Sequence, residues 1–500
     1  MYKMNLSEIQ SILVKENLLR EVVVGDQWYY RLEDEKLLDQ SLTQIDYQSN
    51  RINQEAIFVC KGKLFKEEYL VDAVSRGAQV YVSEVPYENV AIPGFIVSDI
   101  RRAMPILAAA FYQNPQKDLT LIGITGTKGK TTTNYFLRHI LDETYPGQTA
   151  FISSINTCLD GKNEEASDLT TPEAIDLFQM FAAARDNHMT YFIMEVSSQA
   201  YKMDRVYGIQ YDLGLFTNFS PDHIGENEHP NMEDYFFCKR QFLNHVDWVL
   251  LYDGLPHLDL LVDQLEDHQV AYEFFGETNR GHQLIPSKEK ATIFELIGQN
   301  GDSETYESPM PGLFNLENAA GAAVIAQKLG ASPEDIQNGL SKTDVDGRMD
   351  RYELPNGAVV YVDYAHNYDS LKRMLEYIQA EYPGRKSTLV IGAPGGKGLS
   401  RRKVFAEIAD EYMDQVIFTE EDPNYEDPTI ISEEMKSYLR YPEKCRIIND
   451  RQEAVEEAVK NATKDDVVII TGKGREQYQK VKGQNIFYKG DTYIVEEYLK

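Results

Sequence analysis

The 500-residue chain carries 80 acidic against 50 basic side chains, a formal net charge of −30, with 42% hydrophobic and 26% charged residues. This is the composition of a folded globular protein and excludes collagen-like, mucin-like and wholly disordered chains. The acid excess repels nucleic acid and anionic membrane at long range, so any phosphorylated ligand must meet a local island of basic side chains.

At roughly 150 residues per domain the length predicts about three domains. Asn5 and Glu8 stand at capping-box spacing ahead of Ile9, Leu13 and Leu18, which predicts an amphipathic first helix. Its charges leave no apolar core for a signal peptide. The longest apolar stretch, Ala103 to Tyr112, is about half of what a bilayer requires. Cys60, Cys158, Cys238 and Cys445 are far apart and form no Cys-x-x-Cys pair, as expected of a soluble protein in a reducing cytoplasm. Asn114-Pro115 punctuates the chain before the β-rich run Leu119 to Thr125, and the stretch Asp344 to Arg348 punctuates it again. The expected domains are therefore 1–116, 117–345 and 346–500.

Between these boundaries, buried runs at Tyr191 to Val196, Leu213 to Thr217 and Trp248 to Tyr252 alternate with helical segments. A second set follows at Ala358 to Val362, Ser387 to Ile391, Gln415 to Thr419 and Asp466 to Thr471. The fold class is α/β, with doubly wound sheets whose ligands should lie at the carboxyl ends of the strands. Gly123-Ile-Thr-Gly126-Thr127-Lys128-Gly129-Lys130-Thr131-Thr132 supplies what a triphosphate needs: small residues whose N–H groups can crowd phosphate, lysines, and a hydroxyl for Mg²⁺. It departs from the strict G-x-x-x-x-G-K-[ST] spacing.

The variant Thr-Gly-Thr-x-Gly-Lys-Thr-Thr resembles the signature of the Mur ligases and their folylpolyglutamate synthetase relatives. Further matching segments are Leu169-Thr170-Thr171-Pro172, Met194-Glu195-Val-Ser197-Ser198, Thr217 to His223, Gly312 to Asn318, Gly347-Arg348-Met349, Val362 to His366 and Gly472 to Glu476. The resemblance implies a P-loop central domain, a Rossmann-like C-terminal domain and a smaller α/β N-terminal domain that binds a UDP-sugar. It also implies ATP-dependent amide formation through an acyl phosphate, in cytoplasmic peptidoglycan precursor synthesis. Catalytic roles would fall to Lys130, Glu195, His223 and Lys239, and Mg²⁺ ligation to Thr131, Glu195, His223 and a carbamylated Lys239. Without the resemblance, Lys239 in Tyr235-Phe-Phe-Cys-Lys-Arg240 reads as a helix-surface lysine. ATP contacts would come from Gly126 to Thr132, Asn315, Asn318, Arg348, Asp363 and His366. The muramoyl peptide would meet Thr170, Thr171, Ser197 and Arg205, and the UDP end Ser49 and Lys61.

Among the family the chain looks like the members that add the third amino acid. Those using meso-diaminopimelate carry Asp-Asn-Pro-Arg where this chain has Glu421-Asp422-Pro423-Asn424, and the Arg grips the second carboxylate. Asn424 lacks that charge, whereas Glu421, Asp422 and Glu476, beside Gly472, suit an ammonium, which favours L-lysine over ornithine or another diamine. Lys397 is expected to hold the amino acid's α-carboxylate. The expected partners are the UDP-muramoyl dipeptide, ATP and L-lysine, with no nucleic acid or membrane, and the expected state is a monomer. Two alternatives stand beside this reading, a folylpolyglutamate synthetase-like ligase and a non-catalytic nucleotide-binding protein.

Overall fold

A computed structural model describes residues 2–499 apart from 63, 64, 88, 226, 227 and 346; Asp346, the expected start of the third domain, thus lies outside the described residues. The N-terminal helix Leu6–Lys15 opens on the expected capping box, with Asn5 and Glu8 each satisfying the other's backbone N–H. It belongs to a unit built on a six-stranded sheet ordered Gln27–Tyr29, Leu19–Val24, Gly94–Val97, Ala78–Ser83, Ala56–Val59 and Gln44–Asp46.

The central sheet has eleven strands. Its parallel heart runs Thr149–Ile152, Tyr191–Glu195, Thr120–Thr125, Tyr211–Phe216, Val246–Tyr252 and Ala271–Gly276. These strands are apolar almost throughout because helices cover both faces, the pattern of a doubly wound sheet. The strand expected from Leu213 begins two residues earlier, since Tyr211 is itself fully buried against Phe242. Three further strands, His282–Pro286, Ile293–Ile297 and Ser303–Glu307, extend one edge as antiparallel hairpins that the sequence reading leaves unassigned. At the opposite edge lies Glu164–Ala166. The third sheet, six-stranded, is ordered Asp350–Glu353, Val359–Asp363, Asp466–Thr471, Lys386–Ala393, Gln415–Glu420 and Cys445–Ile447.

The two seams between these units differ in chemistry. Leu107 and Phe111 of helix Ile100–Phe111 share one apolar core with Phe178 and Phe181 of helix Ala174–Asp186, joining the N-terminal and central units. The C-terminal sheet keeps separate cores, and apart from Phe314 its contacts with the central unit are mainly ionic. All four cysteines are buried and unpaired. Among the described residues no helix is long and apolar enough to cross a membrane.

Arg451, wholly buried at the start of helix Arg451–Asn461, pairs with Asp491 through Nε and Nη2 at 2.9 and 2.8 Å. The same Nη2 donates to the Thr471 carbonyl at 2.7 Å, so the pair anchors the strand end that precedes Gly472. Removing one partner of a buried pair leaves the other charge uncompensated. Arg451→Ala is expected to destabilise the C-terminal unit by about 3–5 kcal/mol in urea denaturation; a loss below about 1 kcal/mol would show that the pair is dispensable.

Candidate active site

The strand Thr120–Thr125 ends in a loop that turns directly into helix Lys130–Thr144. Two glycines make the turn possible. Gly126 has φ 147°, and a Cβ there would lie 2.0 Å from Thr217 Oγ1; Gly129 has φ 83°, and its Cβ would lie 2.2 Å from Asn318 Oδ1. The loop is clamped from the neighbouring strand end: Thr217 Oγ donates to the Lys128 carbonyl at 2.7 Å, and the Lys128 N–H donates to Asn218 Oδ1 at 2.9 Å. Lys130 Nζ folds back onto the carbonyls of Gly126 and Thr127 at 2.9 and 3.2 Å. The helix N-terminus and these lysines form the local positive island that the acidic composition demands.

A cavity of about 510 Å³ opens over this loop, lined by Lys128, Gly129, Thr131, Thr132, Asn315, Asn318, Arg348 and Asp363, among others. It brings together most of the residues expected around ATP. Arg348 reaches it with a buried Nε that has no hydrogen-bond partner among the described residues. Asp363 instead holds backbone, accepting from the N–H groups of Met349 and Ala365 at 2.8 and 2.6 Å, and burial pushes its carboxyl up. Asn315 similarly donates to the Pro311 carbonyl at 2.8 Å. The far wall carries a pair not foreseen from sequence, in which Glu317 takes Arg373 of the C-terminal unit at 2.8 Å and the Tyr252 hydroxyl at 2.8 Å.

Between the central and C-terminal units lies a buried knot of charge. Asp222 accepts from Lys128 Nζ at 3.2 Å, Arg401 Nη2 at 2.9 Å and Asn367 Nδ2 at 3.0 Å. Burial opposes its ionisation, yet Lys128, His223 and Arg401 hold the carboxyl far below the usual range. His366 Nε2 sits 3.1 Å from Lys128 Nζ, and the lysine's charge together with burial keeps the imidazole neutral. Burial brings Lys128 itself down to about 8.

Lys239 is buried in helix Met232–Arg240, contrary to a helix-surface reading, and its Nζ donates to the Gly126 carbonyl at 2.9 Å. Burial, then the charges of Lys130 and Lys128, push its pKa well down.

Glu195, at the end of the adjacent strand, is buried and accepts from Ser154 N and Oγ at 2.7 and 3.0 Å. Thr171 Oγ1 donates to the Glu195 carbonyl at 3.0 Å and Ser197 N–H to Thr171 Oγ1 at 3.0 Å, while Thr170 meets Ser154 at 2.9 Å. Ser197 also caps helix Ser198–Lys202, and Arg205 Nη1 donates to the Thr171 carbonyl at 3.2 Å. The expected muramoyl-peptide residues thus form one patch. Ser49 and Lys61 line a separate cavity of about 440 Å³ in the N-terminal unit, with Tyr47, Phe65 and Tyr69.

A third cavity of about 220 Å³, lined by His223, His366, Lys397, Arg401, Glu421, Asp422, Gly472, Lys473 and Glu476, collects the residues expected around the amino acid. Two of its three candidate acids are already engaged. Lys473 Nζ pairs with Asp422 at 3.0 Å and with Glu476. Glu421 is buried against Gly472, its Oε2 has no hydrogen-bond partner among the described residues, and burial raises its carboxyl to about 7. Asn424 does not line this cavity. With φ 53° it makes a left-handed turn, and its Oδ1 accepts the Gly483 N–H at 2.8 Å, tying the loop to the hairpin Tyr478–Val481 and Gln484–Phe487.

For a divalent cation the donor set fits in part. Glu195 is a buried carboxylate that accepts from Ser154, and with the Thr131 hydroxyl it offers the hard oxygens that Mg²⁺ prefers. His223 Nδ1 is turned to Glu228 at 3.1 Å. The one group of three His, Cys, Asp or Glu side chains within ligating reach among the described residues is His229, Asp234 and Cys238. There Ser198 and the Lys202 ammonium already satisfy the ring and carboxylate.

A strand-loop-helix phosphate site facing a second α/β unit across an ionic seam is the architecture of an ATP-dependent ligase, and comparisons agree. Residues 124–326 match the Mur ligase middle domain and 347–474 the Mur ligase, glutamate ligase domain. The chain is 41% identical over 99% of both lengths to the UDP-N-acetylmuramoyl-L-alanyl-D-glutamate--L-lysine ligase of Enterococcus faecalis (strain ATCC 700802 / V583). It is 43% identical, again over 99% of both, to the protein of that name from Streptococcus pyogenes serotype M4 (strain MGAS10750). The chain belongs to the Mur ligase family. Among solved structures, a UDP-N-acetylmuramoyl-L-alanyl-D-glutamate--2,6-diaminopimelate ligase superposes with a TM-score of 0.66 at 22% identity, covering 100% of this chain and 99% of its own, a likeness of fold.

Because a side chain at Gly126 would collide with Thr217, Gly126→Ala should displace the loop from the helix N-terminus. A fall in ATP affinity of at least about tenfold is expected by calorimetry, equivalent to about 1.4 kcal/mol; unchanged affinity would show that the loop relaxes freely.

Proposed function

We propose that this chain is a cytoplasmic, monomeric, ATP-dependent ligase of peptidoglycan precursor synthesis that joins L-lysine to the D-glutamyl carboxylate of UDP-N-acetylmuramoyl-L-alanyl-D-glutamate. The observation that carries the reading is the third cavity, which Glu421, Asp422 and Glu476 line, in a chain alike end to end to two lysine ligases. That likeness includes the first 115 residues, which a folylpolyglutamate synthetase-like reading leaves unused.

The chemistry follows from the side chains. Lys130, Lys128 and Arg348 neutralise the triphosphate, and Lys130 exchanges its bonds to Gly126 and Thr127 for phosphate oxygens. The substrate carboxylate, held beside Thr171, Ser197 and Arg205, attacks the γ-phosphorus and releases ADP; the amine of the incoming amino acid then displaces phosphate from the acyl phosphate. Mg²⁺, when bound, would screen the transferred charge from Glu195 and Thr131. The amine of Lys239, whose pKa burial pushes well down, adds CO₂ in its unprotonated form and loses a proton to give a carbamate, which turns a group that would repel a cation into one that attracts it. The ionic seam lets the C-terminal unit close over the nucleotide and keep water from the acyl phosphate.

Phosphate release from ATP is the direct test, with the UDP-muramoyl dipeptide and each of L-lysine, L-ornithine and meso-diaminopimelate. Lysine should be used fastest. Faster use of meso-diaminopimelate would overturn the specificity, and no release with any amine would overturn the ligase reading.

Specificity should also titrate. Glu421, with a carboxyl raised to about 7, is largely neutral at pH 6 and ionised at pH 8, and only the ionised form attracts an ammonium. The KM for lysine should therefore fall roughly tenfold across that interval, and Glu421→Gln should raise KM and flatten its pH dependence. An unchanged slope in the variant would remove Glu421 from the recognition of lysine.

A further inference from the structure

We propose that Glu173 is a positioning residue that couples the N-terminal cavity to the muramoyl-peptide patch through one shared carboxylate, an inference that rests on the nucleotide-sugar substrate just assigned. Glu173 follows Thr170-Thr171-Pro172 and immediately precedes helix Ala174–Asp186. Its Oε1 takes Arg205 Nη2 at 2.9 Å, and its Oε2 pairs with Lys61 Nζ. Lys61 belongs to the N-terminal unit and lines its cavity; Arg205 belongs to the central patch. The three side chains are only 14–21% exposed, so the pairing is shielded from much of the screening that weakens surface salt bridges.

One helical turn further on, Asp176 repeats the device. Its carboxylate takes Arg51 Nη1 and the Tyr47 hydroxyl, each at 2.6 Å. Lys61 Nζ in turn lies 4.5 Å from the centre of the Tyr47 ring. Two carboxylates at the start of one central helix therefore orient the basic and aromatic wall of a cavity on another unit. The triad of Lys61, Glu173 and Arg205 carries one net positive charge, which attracts an anionic ligand while the shared carboxylate keeps the two cations from repelling each other apart. A nucleotide sugar that passes from Lys61 to Arg205 thus meets both in register.

The test is Glu173→Gln, which keeps size and one acceptor but removes the charge. The KM for UDP-N-acetylmuramoyl-L-alanyl-D-glutamate should rise at least tenfold, with kcat at saturation and the KM values for ATP and lysine within twofold of the unaltered chain. Glu173→Asp, which keeps the charge, should recover part of the loss. An unchanged KM for the nucleotide sugar overturns the proposal, as does a parallel rise in all three KM values, which marks general loosening of the seam. Calorimetric binding of the same nucleotide sugar without ATP or lysine separates the two levels. Equal affinity in variant and unaltered chain removes Glu173 alone, whereas no binding to the unaltered chain removes the substrate reading with it.

Discussion

Asp222 is a carboxylate whose ionisation burial opposes, held ionised by cations from two different parts of the chain. Lys128 belongs to the phosphate loop; Arg401 and the amide of Asn367 belong to the C-terminal unit. Because a buried charge cannot be left unpaired without a cost of several kcal/mol, the three partners must arrive together, and the relation between loop and C-terminal cavity follows from that. The same loop then places Lys130 beside Lys239, whose pKa is pushed well down by burial and then by the charges of Lys130 and Lys128. The cavity over the loop, the buried amine and the cavity beside Glu421 are consequences of where one carboxylate finds its partners.

Charges of the protein stand where charges of its ligands are expected. Lys473 holds Asp422 and Glu476 as a substrate ammonium would, and Glu173 holds Lys61 and Arg205 as a substrate anion would. Groups so held lose little freedom when a ligand replaces or joins the internal partner, which is the physical content of preorganisation. Phe111 and Phe178 lie in one apolar core shared by the N-terminal and central units, while the C-terminal unit keeps separate cores and meets the central unit through Asp222 and its partners.

What the sequence discloses is whatever is local. Strand, loop and helix around Gly126 to Thr132 are legible because glycine, lysine and hydroxyl must occur at fixed offsets along one segment, and Glu195 and Asp363 are legible as strand ends. The partners of those residues are not. Lys61 and Glu173 are over a hundred residues apart, as are Asp222 and Arg401, and no periodicity links them. Asn424 shows the converse, since its type is informative about specificity through the arginine it lacks, yet its own side chain serves a turn. Glu421, Asp422 and Glu476 read alike as three acids; only packing separates the pair neutralised by Lys473 from the buried one whose Oε2 is unsatisfied among the described residues.

The eleven-stranded sheet ends on two short strands, Glu164–Ala166 and Ser303–Glu307. Such edges present unpaired backbone groups on which a second molecule could add a strand, the usual start of aggregation. Here both carry carboxylates pointing to solvent, with Tyr306 alone turned inward. Two molecules approaching edge to edge would bring like charges together within strand spacing, about 5 Å. Some of the surplus acid therefore acts against edge-to-edge pairing of this sheet.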